Sequence, residues 1–249
     1  MSKSLTSENL RDVFTYPVQD PKWLEKFLIG SLFILAGILI LPLFLIYGYF
    51  AEMLRNAIEG EELSLPEWDE WEKKFTEGAK LFLIGLIYVL PLGLFFILIY
   101  IFLLAGAIGP EYIDYNNDLY APIWAIVSLI GTFGWMVLFG LGLLVTLVLG
   151  AISPAMICHV VAEDDFSAAF RMREWWSIFR SNLSGFAITY LLVLGLITIL
   201  NFIYQFLVMT VVFCCFSPLI LIPGTFYIMT AVSVLFGQAY REGLQNLNT

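Results

Sequence analysis

The stretch Glu67-Trp68-Asp69-Glu70-Trp71-Glu72-Lys73-Lys74-Phe75-Thr76-Glu77-Gly78 decides the fold, because this charged, tryptophan-rich collar feeds directly into the apolar run Leu81 to Leu104. Trp68, Trp71, Phe75 and Phe82 recur at helical spacing opposite Asp69, Glu70, Glu72, Lys73 and Lys74. That is the pattern of an amphipathic helix lying on a membrane surface. Ser64 and Glu67 have the spacing of a capping box, which predicts the surface helix over residues 65–79. The Trp-x-x-x-Phe-x-x-Gly spacing recurs as Trp175, Phe179 and Asn182, and at the amino end as Trp23, Phe27 and Gly30.

Outward from the collar, the chain is apolar on a scale that soluble domains do not reach. Of its 249 residues 60% are hydrophobic and only 13% charged, against about a quarter charged in soluble proteins. A helix of about 20 apolar residues crosses ~30 Å of hydrocarbon. Phe27 to Phe50, Leu81 to Gly106, Ile123 to Val161 and Gly185 to Gln238 each lack Asp, Glu, Lys and Arg. The last run is long enough for two spans with a turn between Gln205 and Ser217. The expected architecture is an all-α integral membrane protein with about five transmembrane helices, near residues 27–50, 81–106, 123–161, 185–207 and 214–238. Residues 1–26 read as a soluble lead-in, 27–241 as one membrane domain and 242–249 as a tail. Pro42 predicts a kink or break in the first apolar segment, which either spans or re-enters.

A second surface helix is expected over residues 166–183, where Phe166, Phe170, Trp176, Phe179 and Leu183 form a stripe with Arg171, Arg173 and Arg180 outside it. Aligning Trp71 with Trp175 also aligns Phe75 with Phe179 and Tyr100 with Tyr204, so the collar and its following span read as an internal repeat. Both surface helices and the carboxyl terminus then share one face. That face carries Arg55, Lys73, Lys74, Lys80, Arg171, Arg173, Arg180 and Arg241, and the positive-inside rule assigns it to the cytoplasm of a cell-membrane protein.

Composition argues against a nucleic-acid partner: the net charge is −9 and the 12 Lys and Arg form no basic patch. Cys158, Cys214 and Cys215 have no disulfide spacing, and His159 is read as an uncoordinated interfacial side chain. The loop acids Glu111, Asp114 and Asp118 lack the alternation of an EF-hand. Asn201, Gln205 and Gln238 are read as amides that bridge packed helices. No hydrolase, zinc or phosphate-loop motif is present. The expectation is therefore a protein that is not an enzyme, with no catalytic residue, cofactor or metal.

Pro21-Lys22-Trp23, Lys26, Gly30, Gly48-Tyr49, Arg55, Gly60, the run Leu65-Pro66-Glu67-Trp68-Asp69-Glu70-Trp71, then Phe75, Gly78 and Tyr88 together resemble the prokaryotic membrane proteins grouped as domain of unknown function 4013. The resemblance is most specific over the first hundred residues. It implies a multi-pass prokaryotic membrane protein and supplies no catalytic or ligand residue. The function expected from the residues is that of a scaffold or accessory subunit of a membrane assembly. Its contacts with lipid, a protein partner or a second copy would be made by Trp23, Phe27, Trp68, Trp71, Phe75, Phe170, Trp175, Trp176 and Phe179. The alternative is a carrier for a neutral or apolar solute.

Overall fold

Apolar runs become helices, and the breaks between them fall where single residues force them. In the computed structural model, which describes residues 7–108, 121–210 and 215–248, the elements are α1 (Ser7–Gln19), α2 (Trp23–Leu35), α3 (Leu41–Glu59), α4 (Trp71–Ile108), α5 (Ala121–Glu163), α6 (Met172–Ser181), α7 (Leu183–Met209) and α8 (Ser217–Leu247). Short 3-10 turns occupy Ala36–Leu39 and Phe166–Phe170. No strand occurs among the described residues. Helices α4, α5, α7 and α8 are long and apolar enough to cross a membrane, close to the five expected. This is an all-α membrane protein.

The first apolar segment is two helices rather than one span. Its break lies at Ile40, whose φ of 65° is costly for a β-branched side chain, and Pro42 sits in the first turn of α3. There its missing N–H has no partner to lose. Gly60, at φ 82°, closes α3 in the left-handed conformation that glycine adopts freely.

The chain forms two compact bodies, residues 1–84 with 151–249, and residues 85–150. In the first, α8 is central. Gly237 lets it approach the Leu54 carbonyl and Ala57 of α3 with no room for a Cβ. One apolar cluster joins Leu54, Cys158, Phe179, Phe186 and Phe236, and another joins Val13, Tyr16, Phe27, Tyr49, Met53 and Phe226. Where it is described, the soluble lead-in expected over residues 1–26 packs into this body: α1 buries Val13 and Tyr16, and the Tyr227 hydroxyl donates to the Phe14 carbonyl. Over the expected tail, residues 242–249, helix α8 continues to Leu247, with Gly243 against the Ile178 carbonyl.

The second body is an antiparallel pair formed by the apolar parts of α4 and α5. Phe102 lies over Gly134, and Phe95 and Ile99 over Gly142. Most of its other large side chains, Leu94, Ile97, Phe133 and Met136 among them, are exposed, as suits surfaces immersed in lipid. The expected loop acids Glu111, Asp114 and Asp118, and Cys214, lie outside the described residues.

A lysine-clamped loop as candidate functional site

Between Gly60 and Trp71 the chain is extended. Helix α4 begins at Trp71 and not near residue 65, so Ser64 caps nothing and Trp68 lies off the helix. Pro66 and the use of the loop's own polar groups account for the difference. Leu65 and Pro66 are buried, and the Leu65 carbonyl accepts from Lys26 Nζ at 2.7 Å.

Lys26 organises one side of this loop. It is 4% exposed, and its ammonium also meets Asp20 Oδ2 at 2.8 Å and Glu67 Oε1 at 3.2 Å. Lys74, 2% exposed, organises the other side. Its Nζ meets Glu52 Oε2 at 2.7 Å, the Asp69 carbonyl at 3.1 Å and Asp69 Oδ1 at 3.3 Å. An ammonium has three donors, and each lysine directs them at one loop carbonyl, one loop carboxylate and one carboxylate from another element. Burial of a charge is tolerated on such terms. Burial acts to raise the Asp20 pKa, but the Lys26 ammonium and the Lys22 amide outweigh it and hold the carboxyl below its ordinary range.

The two lysines hold the same motif position, since Trp23-x-x-Lys26-Phe27-x-x-Gly30 matches Trp71-x-x-Lys74-Phe75-x-x-Gly78. Amphipathic patterning puts Lys74 on the outer face of the collar and Lys26 in the lead-in, whereas both are buried. The shared spacing is the sequence signal that the two lysines are equivalent. Between the lysines, Trp68 closes the arrangement. Its Nε1 donates to the Lys26 carbonyl at 3.0 Å, and its ring stacks on Tyr49 at 4.3 Å and Trp71 at 6.0 Å. A groove of about 410 Å³, lined by Lys22, Glu25, Glu67, Trp68 and Trp71 among others, opens beside it.

The predicted contact residues separate into two sets. Trp71 is 45% and Phe75 39% exposed, and Trp23, Phe170 and Trp176 are also exposed. Phe27, Trp175 and Phe179 are buried in the core, and Trp68 is half-buried. The single helix expected over residues 166–183 is broken into the 3-10 turn and α6, with Phe170 exposed and Phe179 buried.

His159, expected as an uncoordinated interfacial side chain, is hydrogen-bonded on both ring nitrogens. It is buried, with Nδ1 2.8 Å from the Tyr240 hydroxyl and Nε2 3.0 Å from Glu174. A carboxylate only accepts, so Nε2 carries a proton toward Glu174. Arg171 bonds Glu174 and Asp165 as well. The Ser167 hydroxyl and amide hold the Asp165 carboxyl below its ordinary range.

Taken together, these features define a multi-helix integral membrane protein whose polar end is knitted by buried, paired charges. Residues 31–212 match the family described as Protein of unknown function (DUF4013), and the chain belongs to that family. No curated protein and no solved structure matches it.

Proposed function

We propose that the chain is a non-enzymatic scaffold or accessory subunit of a membrane assembly, with the clamped loop and the aromatic residues beside it as the contact surface. The observation that carries this reading is the placement of Trp71 beside the clamped loop. Lys26 and Lys74 direct their ammonium donors into the loop, and Trp71 stands half-exposed on the stacked Trp68, next to the 410 Å³ groove. Exposed aromatic anchors on a preorganised support are what partner surfaces use. A carrier would instead need a polar crevice at mid-membrane depth, and the cleft of about 220 Å³ between α4 and α5 is lined by Ile101, Phe102, Val127, Ile130 and Gly131.

The test is purification from native membranes in mild detergent with native mass measurement. A stoichiometric partner protein, lost from a Trp71→Ala/Phe75→Ala variant that still inserts, is expected. A bare chain with no companion from native membranes sinks the proposal. The clamped loop is also proposed to face the cytoplasm, from the basic residues on its side. An epitope at the carboxyl terminus that antibodies reach in unopened cells would reverse that orientation.

A further inference from the structure

Helix α7 carries Thr198, Asn201 and Gln205 at i, i+3 and i+7, a spacing that places them along one side of a helix. All three are exposed. The core-facing side of the same helix is marked by Phe186, Thr189 and Val193, which are buried, and by Leu200, which lies against Gly224 of α8. At 100° per residue the polar stripe stands about 120° round from that side. It therefore points away from the core of its own body.

This stripe lies inside the uncharged run Gly185 to Gln238, and the segment from Phe206 to Phe216 that follows it is apolar apart from Thr210. On a helix long and apolar enough to cross a membrane, a side-chain amide left unsatisfied in hydrocarbon is costly. Thr198 and Asn201 return part of their capacity to their own helix, through the Leu194 and Ile197 carbonyls at 2.7 and 2.9 Å. The Asn201 Oδ1 and both ends of the Gln205 amide gain nothing from that arrangement.

We propose that this face of α7 is the self-association surface of the protein, pairing with α7 of a second copy. A carboxamide has both donors and an acceptor, so Asn and Gln are self-complementary in a way that a charged stripe is not. A two-fold axis sets the same patch of each copy against the other, so the amides of one copy meet those of its partner. Interhelical amide bonds of this kind are a recognised source of helix association in bilayers. The surface is separate from the clamped loop, so a second copy and a different partner protein can be held at once.

The test is energy transfer between donor- and acceptor-labelled full-length chains reconstituted in phosphatidylcholine vesicles at a series of protein-to-lipid ratios. Wild type is expected to show transfer that rises with protein density. Asn201→Leu/Gln205→Leu, which keeps α7 apolar and insertable, is expected to weaken association on the order of tenfold. Phe206→Leu, on a different exposed side of α7, is expected to leave it unchanged. Wild type that stays monomeric at every ratio overturns the proposal, as does a double-leucine variant that associates as tightly as wild type. Because these vesicles hold no other protein, either failure leaves the proposed partner contact at Trp71 standing.

Discussion

The two lysine-bearing copies of the collar and the third copy at Trp175 solve the same packing problem with opposite chemistry. Where Lys26 and Lys74 stand in the first two, the third has Ile178, and all three positions are buried. The lysines need carboxylates from two directions, and the loop between them is shaped to supply these. Ile178 needs only apolar neighbours and the close approach of Gly243. The aromatic pair does not follow the lysine, since Phe27 of the first copy is as buried as Phe179 of the third. Trp175 and Phe179 are 5% and 7% exposed, whereas Trp71 and Phe75 stand half in the open. The last motif position also diverges. Gly78 allows a continuous α4 to touch the backbone of α3, while Asn182 ends α6, accepts from the Gly185 amide and donates to the Ala239 carbonyl at 2.9 Å. The conclusion is that the fourth and eighth motif positions are buried in every copy, whereas burial of the Trp and Phe varies from copy to copy.

That comparison is broken most severely at Gly78. A Cβ there would sit 1.7 Å from the Phe44 carbonyl oxygen, and one on Gly48 1.9 Å from the Lys74 carbonyl oxygen. Neither neighbour is a side chain that can swing aside. Gly78→Val is expected to lose more than about 4 kcal/mol, read as the midpoint of denaturation by titrated dodecyl sulfate. Gly85→Val, where a Cβ meets nothing within 4 Å, is the control and should stay close to wild type. Equal losses at the two positions would mean that helical propensity, and not the α3–α4 contact, sets the effect.

The next effect tests the chemistry of the fourth position. Lys74→Ala strands Glu52 and loosens Asp69, with an expected loss of about 3 kcal/mol in the same titration. Lys74→Ile/Glu52→Leu turns this copy toward the third and should recover most of that loss, because a well-packed apolar pair replaces a buried ion pair at little cost. If the double variant is no better than Lys74→Ala, the clamp on Asp69 matters more than the charge balance with Glu52.

Much of the fold was legible because uncharged runs admit few structures: α4, α5, α7 and α8 follow from length and composition. The candidate site was legible only in part. Trp68, Trp71 and Phe75 fit a helical period equally well whether the helix begins at Ser64 or at Trp71, so spacing could not show that Trp68 turns off the helix toward Tyr49. Amphipathic reasoning assigns lysine to the outside by default, and Lys74 is inside because Glu52, twenty-two residues earlier, and Asp69 converge on it. Such convergence is a property of tertiary structure. The burial of His159 is illegible in the sequence for the same reason, since Tyr240 and Glu174 come from α8 and α6.

The smallest effect distinguishes the lysine copies from the third by acid. Asp20 is held by Lys26 below the ordinary carboxylate value of 3.8, so its folded pKa lies under its unfolded one. Well above pH 3.8 both states are ionised and the contribution of the pair is whole. As pH falls through 3.8 the unfolded chain takes up the proton first, and stability drops until the folded carboxyl is protonated too. Stability followed from about pH 5 to pH 3 should therefore decline in wild type and decline less steeply in Asp20→Asn. The Lys26→Met variant should flatten the curve in the same way, because the ammonium is what holds the proton off. An acid limb in Asp20→Asn as steep as that of wild type would assign the pH dependence to other carboxylates, such as Asp165 beside the third copy, and leave Lys26 bound to Asp20 by geometry alone.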